Sequence, residues 1–67
     1  MRYINPPNFL TPGDLVWFEI SSDSISEFVI VEVLKIFGTG KIEICMLTGS
    51  HSVLIVNRSE LWVRRYE

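Results

Sequence analysis

Apolar and polar residues alternate along most of this chain with the period of two that belongs to β-strands. In Leu15-Val16-Trp17-Phe18-Glu19-Ile20, alternation puts Val16, Phe18 and Ile20 on one side and Leu15, Trp17 and Glu19 on the other. The first set is wholly apolar and is expected to face a core, which turns Trp17 outward. A second run, Glu27 to Phe37, carries apolar residues at both parities: Phe28, Ile30, Leu34 and Ile36 against Val29, Val31, Val33 and Phe37. A strand with two apolar faces is expected to bend, and Glu32, which interrupts the Phe28 parity, marks the expected bulge. Lys41 to Leu47 alternates with Ile42, Ile44 and Met46 inward. Ser52 to Val56 reads as a fourth strand. Leu61 to Arg65 reads as a fifth, with Leu61 and Val63 inward and Trp62 and Arg64 outward.

Turn chemistry separates these runs. Thr11-Pro12-Gly13-Asp14 leads into the first strand, and Ser21 to Ser26 is expected to be a polar loop, because Ser and Asp side chains compete for backbone hydrogen bonds. Gly38-Thr39-Gly40 and Thr48-Gly49-Ser50-His51 read as hairpin turns, and Asn57 to Glu60 as a single 3₁₀ turn. Pro6 and Pro7 fix φ and remove donors, so residues 1–10 are expected to form an extended arm ahead of one domain at 11–67. Short strands separated by turn signals indicate an all-β barrel or sandwich, and closing five strands into a barrel limits exposed edges. The expected core is Val16, Phe18, Ile30, Ile44, Ile55 and Val63.

Two segments carry a resemblance. Pro12-Gly13-Asp14-Leu15-Val16-Trp17 is similar to the Gly-Asp-x-Val-Trp opening of PWWP and retroviral integrase C-terminal domains. Ser59-Glu60-Leu61-Trp62-Val63 is similar to the one-turn helix and last strand of the same barrels. On these, residues 11–65 resemble the SH3-like barrel superfamily, which includes SH3, Tudor, PWWP, KOW and integrase C-terminal domains. The resemblance implies a single five-stranded SH3-like barrel, with one 3₁₀ turn before the last strand and the first and last strands side by side. The chain lacks the Ala-Leu-Tyr-Asp-Tyr segment, the Pro-Trp-Trp-Pro motif, the KOW turn and a clear aromatic cage. The likeness therefore concerns a fold and not a ligand.

Composition narrows the function. Sixty-seven residues make one small domain, and a hydrophobic content of 48% supplies the core that so short a chain needs. The net charge of −2 argues against a protein that lives mainly on nucleic-acid phosphates or anionic membranes. Its apolar runs fall far short of the roughly 18 residues of a membrane span. Met1 to Pro7 holds no apolar stretch of a signal peptide, so a cytoplasmic location is expected.

The single Cys45 and single His51 preclude an internal disulfide and a four-ligand structural metal site, and no metal or other cofactor is expected. Cys45 has no basic neighbour in sequence to activate its thiol and reads as a small apolar filler. His51 sits in a turn without an orienting acid and reads as a solvated residue, so no enzyme is expected.

Three functional readings remain. Residues 1–32 hold one basic and five acidic side chains and residues 33–67 five basic and three acidic, net −4 and +2. Against that background, the outward Trp17 and Trp62 with Glu19 and Arg64 beside them have the composition of a protein-binding hot spot. The equal alternative is that Tyr3 and Phe9 of the arm fold back over the indoles and make them a satellite core. The leading expectation is thus a small regulatory or inhibitory protein that docks on a larger protein partner. The alternative is a nucleic-acid-binding barrel using Lys41, Arg58, Arg64 and Arg65 on phosphates, with Trp62 stacking on bases. A third is a homodimer or larger homo-oligomer packed through its own apolar face.

Overall fold

The computed structural model describes residues 2–65, apart from the side chains of Arg2 and Arg65. Among these residues it is all-β: β1 (Arg2–Ile4), β2 (Leu15–Ser22), β3 (Ile25–Ile36), β4 (Lys41–Met46), β5 (Val53–Asn57) and β6 (Leu61–Arg65), with a 3₁₀ turn at Arg58–Glu60. The strands form one antiparallel sheet in the order β1-β6-β2-β3-β4-β5.

This corrects the closed five-stranded barrel. A sixth strand comes from the N-terminal segment, and the sheet stays open, with β1 and β5 as its edges. Tyr3 and Ile4 are good strand formers with backbone donors to offer, so the segment pairs with β6 as far as Ile4↔Val63. Pro6 and Pro7 have no N–H, and the chain leaves the sheet there.

A single sheet without a second layer buries side chains by curling its inner face around itself. That face supplies Val16 and Phe18 from β2, Val31 and Val33 from β3, Ile42 and Ile44 from β4, Val56 from β5 and Leu61 from β6. Leu10 joins them from the segment between β1 and β2, and Pro7 is fully buried. Asn5 ties this segment down by donating from Nδ2 to the carbonyls of Ser59 and Leu61, at 2.7 and 2.6 Å. Arg58 ties it from the other side, its Nη1 donating to the Pro7 carbonyl at 2.9 Å. The turn into β2 is closed by the Asp14 carboxylate, which accepts from the Thr11 N–H at 2.8 Å and its hydroxyl at 3.1 Å. Gly13 sits there at φ +97°, where a side chain would be strained.

Register settles the parity of β3. Val31 lies opposite Val16 and Val29 opposite Phe18, so the odd residues face in, while Ile30 opposes Trp17 and Phe28 opposes Glu19 on the outer face. The expected core position of Ile30 is therefore corrected: it is 42% exposed. The bulge lies between Val33 and Lys35, one residue pair beyond the expected site, since Glu32 pairs regularly with Leu15 and Cys45. The extra residue there, Leu34, switches parity, so that Ile36, opposite Ile42, packs on the core. Ile55 is likewise corrected: it faces out opposite Glu43 and is 60% exposed. The loop expected at Ser21 to Ser26 shrinks to a hairpin, with strand pairing up to Ser22↔Ile25 and Asp23 at φ +54°.

Ile44→Ala, at a fully buried site, is expected to cost about 2–5 kcal/mol in urea denaturation. Ile55→Ala and Ile30→Ala are expected to cost under about 1 kcal/mol each, the effect of strand propensity alone. Equal losses at the three positions would contradict this register.

Candidate functional site

The outer face of β1, β6, β2 and β3 collects the aromatic residues that alternation turns away from the core. Trp62 of β6 lies directly opposite Trp17 of β2, and Trp17 opposite Ile30 of β3. Tyr3 of β1 stands opposite Arg64 of β6, which brings its ring to the same face. Four rings from four strands, Tyr3, Trp17, Phe28 and Trp62, line an open pocket of about 400 Å³. Phe28 meets Trp62 edge to face, with ring centroids 6.0 Å apart and an interplanar angle of 82°. This is the geometry that sets a positive ring edge against a negative ring face.

One polar contact orients the pocket. The Nε1–H of Trp62 donates to Oε1 of Glu19 at 3.2 Å across the β2–β6 pair. Both residues are half-buried, so the contact satisfies an indole donor that is partly withdrawn from water and holds one carboxylate at the pocket's edge. Much of the surrounding surface is apolar, with Tyr3, Phe28, Ile30 and Leu15 all exposed, and the exposed Arg64 stands opposite Tyr3.

Of the sequence candidates, Trp17, Glu19 and Trp62 come together here, and Arg64 lies two residues beyond Trp62 on the same face of β6. The basic residues considered for phosphate contacts are divided. Lys41 lies at the start of β4, its Nζ donating to Oδ1 of Asn57, and β2 and β3 stand between it and Arg64 on β6. Arg58 is half-buried against the Pro7 carbonyl. The side chain of Arg65 lies outside the described residues.

Two pocket residues escaped the sequence reading as binding residues. Phe28 shares a parity with Ile30 on a strand that is apolar at both parities, and only pairing to β2 decides which side of the sheet that parity faces. Tyr3, expected in the alternative reading as a cover for the indoles, lines the pocket together with them, and both indoles are half-buried. Phe9, weighed with it, is 82% exposed and lines no part of the pocket. His51 is exposed in its turn at φ +55°, and Cys45 is half-buried on the outer face of β4. Among the described residues no helix is long and apolar enough to cross a membrane.

The fold and site define an all-β domain with an aromatic outer face. Comparison with protein-family models, with curated proteins and with solved structures finds no match.

Glu19→Ala removes the acceptor of the Trp62 N–H and is expected to cost about 1–2 kcal/mol in urea denaturation. Glu19→Gln keeps an acceptor and should recover most of that loss. If both substitutions are neutral, the contact does not orient the indole.

Proposed function

We propose that this chain is a non-enzymatic interaction domain that docks on a partner protein through the pocket formed by Tyr3, Trp17, Phe28 and Trp62. The single observation behind the proposal is that four strands each contribute an aromatic ring to one open, apolar pocket. Large rigid rings give contact area at little entropic cost, and Trp and Tyr dominate the energetics of protein interfaces. Glu19 and Arg64 supply charges of both signs near that apolar centre. This suits a partner that inserts an apolar anchor side chain and pairs polar groups around it.

The division of Lys41, Arg58 and Arg64 over separate parts of the sheet favours this reading over the nucleic-acid alternative, which needs a continuous basic track. The fold reading also gains support. Strands β2 and β6, at the two ends of the resemblance, lie side by side, and a 3₁₀ turn precedes β6. That arrangement agrees with SH3-like ancestry for an open sheet with one added strand.

A photo-crosslinking amino acid at position 28, in the protein expressed in its native cells, is expected to give discrete protein adducts. The same group at exposed Thr39 is expected to give none of these. Trp17→Ala, with the fold verified by circular dichroism, should weaken capture by about tenfold or more. Identical adducts from both positions, or capture indifferent to Trp17→Ala and to the milder Tyr3→Ala, would overturn the proposal. A mobility shift with short duplex DNA at low salt, abolished by Arg64→Ala, would favour nucleic acid instead.

A further inference from the structure

The two edges of the sheet differ in kind. Strand β1 is three residues long and ends at Asn5-Pro6-Pro7, where the prolines have no N–H to offer another strand. Strand β5 reads Val53-Leu54-Ile55-Val56-Asn57, with no charge and no proline, and its first three residues are 54%, 40% and 60% exposed. Natural sheets protect their edges with charges, prolines, bulges or covering segments, and β5 itself carries neither a charge nor a proline.

Its backbone polarity follows from the ladder to β4. Met46 N–H donates to the Ser52 carbonyl at 2.8 Å just before β5, and Arg58 N–H donates to the Gly40 carbonyl at 2.9 Å just after it. Hydrogen-bonded pairs alternate with non-bonded pairs in an antiparallel ladder, so between these two bonds Leu54 and Val56 bond to β4. Val53 and Ile55 therefore turn both their N–H and C=O groups toward the open edge, and Asn57 turns its N–H there.

We infer that β5 is a self-association edge, which takes β5 of a second copy of this chain antiparallel about a two-fold axis at Ile55. This occupant fits because the strand is complementary to itself. In that register Ile55 meets Ile55 of the second copy and exchanges two backbone bonds with it, and each Asn57 N–H meets the other copy's Val53 carbonyl. On the inner face, Leu54 of each copy comes beside Val56 of the other. Leu54 lies opposite fully buried Ile44, on the core side of the sheet, yet is 40% exposed because no strand follows β5. The second copy covers it and continues the apolar inner face across the junction. No like charges meet within the paired strands. The contact is isologous and closes at two copies, and it leaves the aromatic pocket, on β1, β6, β2 and β3, open on both. This inference does not depend on what the pocket binds.

Sedimentation equilibrium from about 10 μM to 1 mM tests it. The wild-type mass should rise from the monomer value of 7.7 kDa toward twice that value. Ile55 is exposed in the monomer, so Ile55→Lys and Ile55→Glu should each fold, as circular dichroism and urea denaturation would verify. Each places like charges in direct cross-strand contact and should raise the dimer dissociation constant by about tenfold or more. An equimolar mixture of the two variants should associate again, because only a two-fold at position 55 sets Lys against Glu. A wild type that stays monomeric at 1 mM would overturn the inference. So would a dimer indifferent to Ile55→Lys but dissociated by Trp17→Ala, or two charge variants that fail to recombine when mixed.

Discussion

A sheet with no second layer has to make its own core, and most of this molecule's form follows from that constraint. The inner residues of β2, β3, β4, β5 and β6 can leave water only if the sheet curls until they touch. Curling needs a place where the long third strand changes direction, and the register shift between Val33 and Lys35 provides it. The insertion of Leu34 also lets one strand present Val31 and Val33 to the core on one side of the bulge and Ile36 on the other. Two apolar parities in one strand are thereby used by a single core.

The same constraint gives the N-terminal segment its importance. Residues between β1 and β2 do not belong to the sheet, yet Leu10 lies in the core cluster and Pro7 is fully buried. Their position is fixed by polar contacts of long sequence separation: Asn5 with the carbonyls of Ser59 and Leu61, and Arg58 with the carbonyl of Pro7. Arg58 is thus committed to holding two ends of the chain together. A guanidinium suits this task because it stays charged and offers several donors in a fixed plane.

One-sided burial leaves the other face of the sheet to water, and here part of that face is aromatic among its charged residues. Rings from β1, β6, β2 and β3 surround a pocket, and the Glu19 carboxylate holds one indole by its N–H. Docking at this face and self-pairing at β5 would use different parts of one sheet. A dimer joined at β5 would present two aromatic pockets at once, and paired sites raise avidity wherever a partner can engage both.

Local pattern in the sequence determined five of the six strands, the 3₁₀ turn and the inward placing of Val16, Phe18, Ile42, Ile44 and Leu61, because alternation and turn chemistry act over a few residues. It also turned Trp17 and Trp62 to the outer side, since each stands between inward neighbours on its own strand. The faces of Ile30, Phe28 and Ile55 had to wait for the tertiary structure. Their strands are apolar on both sides, and only pairing with Trp17, Glu19 and Glu43 on neighbouring strands tells one side from the other. The pairing of Arg2–Ile4 with β6, and with it Tyr3 in the pocket wall, was decided the same way. Strands about sixty residues apart in the chain meet only when the sheet assembles.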